Sequence, residues 1–195
     1  REMIRDHEEN GTSYRNVRTV NLDEYAGLDE TSDQSYVYFM RKNLFDSLDI
    51  DRKKTNIENG KAADREKECE RYNALLHEMQ QSVQVLGIGS NGHIAFNEPG
   101  TPFGSETHIV DLTESTIRDN SRLFSRIEDV PRQAFTMGLK NIMNAKKIVI
   151  LANGKNKAKA VYGLVKGPVT EQLPASVLQL HPDCTVVVDE EAASL

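Results

Sequence analysis

The sequence predicts an α/β protein built on a mostly parallel sheet with helices on both faces. Short β-rich runs alternate along the chain with segments whose apolar residues recur every three or four positions, which is typical of strands alternating with amphipathic helices. With 38% apolar and 28% charged residues, the composition is that of a globular protein. Strands that alternate with helices favour parallel pairing, because a helix can carry the chain back across the sheet.

The first elements predicted are a helix end, a strand and two amphipathic helices. The chain opens in a helix that ends at the turn signal Asn10-Gly11. Residues 17–22 are β-rich, and Asp23 and Glu24 follow where a parallel strand would pass into a loop. Two helical stripes come next, and both are predicted to face the core: Tyr36, Phe39, Met40, Leu44 and Leu48, then Cys69, Tyr72, Leu76 and Met79.

Further strands are predicted over residues 83–86, 107–112, 146–151 and 185–188. Pro131 suits the first position of a helix, and residues 155–165 form a helical pattern closed by Gly167. The sequence contains no repeat, low-complexity tract or clear linker, so one domain over residues 1–195 is predicted.

The charge balance excludes several kinds of partner. A formal charge of -6 gives no general attraction to nucleic acid or to an anionic membrane, so an anionic ligand needs a local cluster of cations. No apolar run has the roughly 20 residues of a membrane-spanning helix, and no signal-peptide core is present. We therefore expect a cytoplasmic protein in which Cys69 and Cys184 are reduced thiols, without the spacing of metal ligands.

A glycine-rich turn follows the strand at 83–86. Gly87, Gly89 and Gly92 spell G-x-G-x-x-G, and Asp111 lies 19 residues beyond the third glycine, which superficially matches a dinucleotide-binding fingerprint. That fingerprint needs a helix at the third glycine, but the prolines within residues 97–102 leave no room for one. The turn instead marks a strand end where backbone N–H groups, Gly92 among them, can approach a ligand.

Two acid–base sites are candidates in this reading. His93 and Glu98 lie five residues apart in one loop, so the carboxylate can fix the ring tautomer of the imidazole and the pair can move protons. The alternative is a turn histidine that only packs. Asp23 and Glu24 form a second site, and adjacent strand ends in a parallel sheet lie about 5 Å apart, so both sites could face one cleft. Alone, such an acidic pair equally suits a solvated loop or a helix cap.

Two cationic positions could hold an anion. Residues 153–157 follow a strand and precede a helix, so backbone N–H groups, the helix dipole and Lys157 could converge on a phosphate. Arg122 is flanked by apolar residues and could clamp an anion with two hydrogen bonds. Surface lysines and a salt-bridged surface arginine are the alternatives.

Four segments together resemble the glucosamine-6-phosphate deaminase family over essentially the whole chain. They are NLDEYAGL at residues 21–28, GIGSNGHIAFNEPG at 87–100, NSR at 120–122 and LQLHP at 178–182. The resemblance implies a modified Rossmann-like, doubly wound sheet. It also implies conversion of glucosamine 6-phosphate and water to fructose 6-phosphate and ammonium, without cofactor or metal.

The resemblance also implies roles for individual residues. Asp23 would move a proton between C2 and C1 of the sugar during enolisation. His93 would assist ring opening by proton exchange at the ring oxygen, with Glu98 as its carboxylate partner. Arg122 and Lys157 match ligands of the substrate phosphate. The oligomeric state is left undecided between a monomer and a homo-oligomer.

The chain departs from the family pattern in three places. Asn91 stands at a catalytic position where many members carry aspartate, so Glu98 would be the charged neighbour of His93 within the motif. Allosteric members carry basic residues where this chain has His108, Val110 and Asp111, so hyperbolic kinetics are expected. Finally, the sequence enters near the end of the family's first helix and stops before its usual last helix. Part of the phosphate-binding loop would then lie outside residues 1–195, and this stretch alone would be a poor enzyme.

Two other functions remain as alternatives. A 6-phosphogluconolactonase on the same scaffold has a similar glycine-rich loop, but it needs no enolising base such as Asp23. A non-catalytic sugar-phosphate sensor would keep the fold, and the combination of Asp23, His93 and Glu98 disfavours it.

Overall fold

The computed structural model describes residues 1–121, 124 and 126–195, with the backbone alone at 115, 119 and 120. Contacts divide the chain into two compact units, each formed by two segments. The first unit comprises residues 1–65 and 111–135, and the second comprises residues 66–110 and 136–195. The single domain expected over residues 1–195 stays a prediction.

Helices and strands alternate along the chain, as the sequence predicts. The helices are α1 Glu2–Asn10, α2 Tyr36–Asn43, α3 Arg65–Glu78, α4 Glu114–Asn120, α5 Leu139–Met143 and α6 Ala158–Lys166. The strands are β1 Thr19–Val20, β2 Asp23–Tyr25, β3 Thr55–Asn56, β4 Gln84–Gly87, β5 His108–Asp111, β6 Gln133–Thr136, β7 Ile148–Ala152 and β8 Cys184–Val188. No helix in the described part of the chain is long and apolar enough to cross a membrane.

The first unit pairs short strands. β1 lies parallel to β3, with Thr19 opposite Thr55. Just after β2, the Ala26 N–H donates to the Gln133 carbonyl at 2.9 Å, which joins β2 to the start of β6. The buried apolar side chains of this unit include Tyr25, Phe45, Ile50, Ile117 and Phe135.

The second unit contains the parallel sheet that the sequence predicts. β7 lies between β4 and β8, with Gly87 opposite Leu151 and Leu151 opposite Val187. Because the three strands run in the same direction, the loops that follow them emerge at one edge of the sheet. Buried side chains of α3, α6 and the strands form its core, among them Tyr72, Leu76, Leu86, Ile148, Ile150 and Leu164.

Most elements match the predictions, and α1 ends at Gly11 in the left-handed conformation as expected. The helix predicted from Pro131 is wrong, because residues 133–136 form β6. Asp23 and Glu24 lie within β2 rather than in a loop after a strand. β1 ends at Val20 and β2 begins at Asp23, so the sequence pattern does not separate the two short strands.

Burial corrects two further expectations. None of the eight described residues of α2 is buried, and Phe39 is 55% exposed, while Phe45 just after the helix is buried. Val85 of the predicted buried strand is 53% exposed, because successive side chains of a strand point to opposite faces and the face that carries Leu86 is the covered one. The stripe of α3 does face the core through Cys69, Tyr72 and Leu76.

Candidate active site

Three side chains that the sequence singles out converge in the loop after β4. The Nδ1 atom of His93 lies 3.4 Å from Oε1 of Glu98. The other carboxylate oxygen of Glu98 accepts a hydrogen bond of 2.7 Å from Nδ2 of Asn91. The side-chain Oδ1 of Asn91 in turn accepts the His93 backbone N–H at 3.2 Å. The predicted pairing of His93 with Glu98 is therefore present, and Asn91 holds the carboxylate from its far side.

Glycine allows the His93 ring to lie where it does. A Cβ atom at Gly89 would come within 2.4–2.6 Å of three ring atoms of His93. At Gly92, φ is +86° and a Cβ would lie 2.6 Å from Cγ of Leu173. The Gly92 carbonyl accepts the Ala175 N–H at 2.9 Å. These two glycines are required by close packing of the loop, and substrate binding by Gly92 stays a prediction.

The second half of the loop is fastened by groups that sequence reasoning missed. Asn97 is fully buried, and its Nδ2 donates to the carbonyls of Ile94 at 3.0 Å and Met137 at 2.9 Å. The Phe96 N–H donates to the Thr136 hydroxyl at 3.1 Å. Ala95, the residue before Phe96, has φ of 51°, a left-handed conformation that is unfavourable for a residue with a side chain. The asparagine before Glu98-Pro99 was the available signal, since a short amide side chain often bonds to nearby backbone.

Lys157 lies in the loop after β7, the strand next to β4 in the sheet. Residues 155–157 form one turn of 3-10 helix that leads into α6. The predicted set of free backbone N–H groups is partly wrong, because the Gly154 N–H donates to both carboxylate oxygens of Asp189 at 3.0 Å. Lys157 is half-buried, and its binding of a phosphate stays a prediction.

The carboxyl edge of the second unit's sheet therefore carries the candidate chemistry. The His93 loop follows β4, the Lys157 turn follows β7, and Asp189 follows β8. Open α/β sheets bind their ligands at this edge. In the described part of the chain, no group of three or more His, Cys, Asp or Glu side chains is arranged to hold a metal ion.

Asp23 lies in the first unit, at the start of β2. Burial raises the pKa of the Asp23 carboxyl to about 7, and the negative charge of Glu24 adds to the rise. Burial disfavours the charged form of a carboxyl group, and a like charge nearby has the same effect. A carboxyl group with a pKa near neutrality is well matched to accept a proton at neutral pH.

Two of the predicted positions need separate mention. Arg122, predicted to bind the phosphate, lies outside the described residues. His181 of the LQLHP segment is buried, and its Nε2 lies 2.8 Å from the Ala145 carbonyl while its Nδ1 accepts the Asp183 N–H. The histidine of that segment therefore has a structural role in joining the start of β8 to the end of α5.

Comparison with known proteins shows the family of the chain. A family model described as glucosamine-6-phosphate isomerases/6-phosphogluconolactonase matches residues 1–187. A glucosamine-6-phosphate deaminase of Streptococcus pneumoniae is 52% identical over 194 residues, which cover all of this chain and 82% of that protein. A glucosamine-6-phosphate deaminase of Lactobacillus johnsonii is 56% identical over 181 residues, which cover 93% of this chain and 75% of that protein.

Solved structures extend the likeness to the fold. A monomeric glucosamine-6-phosphate deaminase superposes with a TM-score of 0.96 at 47% identity, covering all of this chain and 81% of that one. The 6-phosphogluconolactonase of Trypanosoma brucei superposes with a TM-score of 0.75 at 19% identity over 98% of this chain and 80% of that one. The second likeness concerns the Rossmann-like α/β fold alone. Since the family model spans nearly every residue and the deaminases share about half of theirs, the chain belongs to the family of glucosamine-6-phosphate isomerases and 6-phosphogluconolactonases.

Proposed function

We propose that this protein converts glucosamine 6-phosphate and water to fructose 6-phosphate and ammonium. The observation that carries the proposal is the cluster of Asn91, Glu98 and His93 on a tightly packed loop at the carboxyl edge of a parallel sheet. The deaminases of the same family, at 52–56% identity, support the choice of substrate.

Ring opening is the step we assign to His93. A cyclic sugar opens when the ring oxygen gains a proton and the hydroxyl on C1 loses one, so a group that exchanges protons at the ring oxygen accelerates the step. Glu98 at 3.4 Å orients the imidazole, and Asn91 at 2.7 Å orients Glu98. A chain of two polar contacts thus fixes the direction in which the ring can exchange a proton.

Isomerisation is the step we assign to Asp23. Moving a proton from C2 to C1 of the open sugar, and a second proton from the ammonium group to the C1 oxygen, turns the aldehyde into an alcohol and the carbon that carries nitrogen into a protonated imine. Water then converts the imine to the ketone and releases ammonium, which balances the overall reaction. A base with a pKa of about 7 can both take the proton from C2 and return it to C1.

Phosphate binding is assigned to Lys157 and Arg122. The Lys157 turn precedes α6, so the positively charged ammonium group lies at the end of α6 where the helix dipole is also positive. Hydrogen bonds between charged groups and phosphate are worth about 1.5–3 kcal/mol each. Because a sugar phosphate carries charge that prevents it from crossing a lipid bilayer unaided, we place this reaction in the cytoplasm.

The proposal is tested with the purified full-length protein and glucosamine 6-phosphate. Ammonium and fructose 6-phosphate should appear in equal amounts, with no added nucleotide and with full activity in a chelator. A parallel assay measures hydrolysis of 6-phosphogluconolactone, the reaction of other members of the family. Lactone hydrolysis without ammonium release would refute the proposal, and so would the absence of both activities.

A further inference from the structure

Glu24 is a second carboxylate on β2 for which the proposed reaction has no use. It is 1% exposed, yet its oxygens accept three backbone hydrogen bonds. Oε1 accepts the N–H groups of Tyr25 at 2.8 Å and Tyr36 at 3.0 Å, and Oε2 accepts that of Val37 at 3.0 Å. Burial raises the pKa of the Glu24 carboxyl, and the three N–H donors oppose that rise because they favour the ionised form.

Two of these donors are the first N–H groups of α2, which have no partner within a helix. The side chain of Ser35, the N-cap residue, accepts the next one, from Tyr38, at 3.1 Å. Glu24 and Ser35 therefore satisfy the first three N–H groups of α2 between them. The negative charge of Glu24 also lies at the positive end of the helix dipole. Glu24 thus fastens β2 to the first turn of α2.

That first turn sets the surroundings of Asp23. The ring of Tyr36 stacks on the ring of Tyr25, with centroids 5.4 Å apart and planes at 10°. Burial, and then the charges of Asp23 and Glu24 together with the Tyr25 hydroxyl, raise the pKa of the Tyr36 hydroxyl well above its usual range. The Tyr36 hydroxyl therefore stays neutral and lies within electrostatic reach of both carboxylates.

Other charged groups lie on the side of Glu24 that faces a cavity of about 480 Å³. The charged residues that line it, besides Glu24, are Asp29, Glu30, Arg41, Arg52, Glu58 and Lys61. Arg41 pairs with Glu30 at 2.8 Å, and Arg52 pairs with Asp46 at 2.8 Å. Among the described residues, the charge of Glu24 acts on Asp23, and the charge of Asp23 acts on Tyr36 of α2.

We propose that Glu24 is a positioning residue for Asp23: its carboxylate fixes the first turn of α2 beside β2 and places its negative charge next to the base. The inference rests on the proposed function, in which Asp23 is the base of the isomerisation. Removing that charge should make Asp23 a weaker base, because a neighbouring negative charge favours the protonated form.

The test replaces Glu24 with glutamine, which has nearly the same shape and no charge. Its amide oxygen can still accept from Tyr25 and Tyr36, but its NH₂ group faces the Val37 N–H. We expect the acidic limb of the kcat profile to move down by about one pH unit, and kcat on the plateau to fall about tenfold with little change in KM. Glu24→Asp keeps the charge and shortens the reach, so it should lower kcat while leaving the acidic limb in place.

Glu58→Gln is the matched control. Glu58 is fully buried in the same unit and lines the same cavity, but it follows β3 rather than lying on β2 beside Asp23. Its replacement should leave the acidic limb unmoved. A limb that moves equally in Glu58→Gln and Glu24→Gln would overturn the inference, because any lost buried charge would then have the same effect.

A second measurement does not depend on deamination. Carbon-13 NMR of labelled aspartate carboxyl groups, with Asp23→Asn to assign the signal, follows the titration of Asp23 directly. Its midpoint should fall by about one unit in Glu24→Gln even if the protein acts on another substrate. An unchanged midpoint in a folded Glu24→Gln protein would overturn the inference. If that variant does not fold, Glu24→Asp decides, and a kcat equal to that of the unchanged protein would refute the positioning role.

Discussion

The His93 loop and strand β2 each present a carboxylate that the proposed reaction uses, but they hold it in opposite ways. Glu98 in the loop is partly exposed and is fixed by two side chains, His93 at 3.4 Å and Asn91 at 2.7 Å. Asp23 on β2 has its pKa raised to about 7, mainly by burial. Side-chain partners determine where a proton can go, whereas burial determines how strongly a group holds it. The two sites therefore suit different steps of one reaction.

The largest expected effect comes from removing the base. Asp23→Asn should lower kcat about 10²–10⁴-fold, since an amide cannot accept the C2 proton. His93→Gln should cost less, about 10–100-fold, because a sugar ring also opens slowly in water without help. Steady-state rates of ammonium release measure both. An Asp23→Asn protein within about threefold of the unchanged enzyme would contradict the role of Asp23.

The pH dependence of the rate should reflect Asp23 rather than Glu98. The base works only when ionised, so kcat should rise with pH through about 7 and level off above it. The measurement is a kcat profile from pH 5 to 9, with substrate kept saturating. A rate that is already maximal at about pH 5 would mean that the base has an ordinary carboxyl pKa.

Stability should respond to Asp23 in the direction opposite to activity. The folded pKa of about 7 exceeds the ordinary value of 3.8, so between these values the native state binds more protons than the unfolded state. The free energy of unfolding therefore falls as pH rises through this window. Asp23→Asn should gain stability relative to the unchanged protein, by on the order of 1–4 kcal/mol above pH 7, and none near pH 4.

Asp129→Asn provides a control of opposite sign for urea unfolding at several pH values. Arg126 bonds to Asp129 at 2.9 and 3.2 Å, which holds the pKa of Asp129 below its usual value. The stabilisation that ionised Asp129 gives the folded protein is fully present at pH values above the usual carboxyl pKa and is lost as the pH falls. Asp129→Asn should therefore not gain stability at neutral pH. A difference between Asp23→Asn and the unchanged protein that is constant with pH would show that Asp23 is not perturbed.

The smallest effect is expected at Asn91. Asn91→Ala removes the hydrogen bond that orients Glu98 but leaves His93 in place, so kcat should fall about 3- to 10-fold. Asn10→Ala is a matched control, because Asn10 donates to Asp6 at 2.8 Å in a similarly exposed pair on α1. If both variants lower kcat equally, Asn91 has no specific role in the loop.

Much of this arrangement could be predicted from sequence, for identifiable reasons. The pairing of His93 with Glu98 is local, since one loop contains both, and the strands at β4, β7 and β8 are marked by β-branched runs. The turn at residues 153–157 was also predicted where it lies, between β7 and α6, because a strand pattern and a helical pattern flank it. Short-range patterns determine these features.

The remainder depends on contacts between residues far apart in the chain. Pro131 favoured a helix, but Gln133–Thr136 pairs as a strand with residues near β2. The Gly154 N–H is taken by Asp189, 35 residues later, which no local pattern indicates. The anchoring of α2 on Glu24 is equally non-local, because the donors lie 12 and 13 residues beyond the acceptor. Tertiary pairing overrides local preference at such places.

The division of labour between the two sites is tested most directly by proton exchange at C2. The substrate is an analogue that lacks the 4- and 5-hydroxyl groups, so it cannot close a five- or six-membered ring and needs no ring opening. In deuterated water, His93→Gln should exchange the C2 proton at a rate within several-fold of the unchanged enzyme, while Asp23→Asn should lose exchange by about 10²-fold or more. Equal loss of exchange in the two variants would contradict the separate roles of the His93 loop and β2.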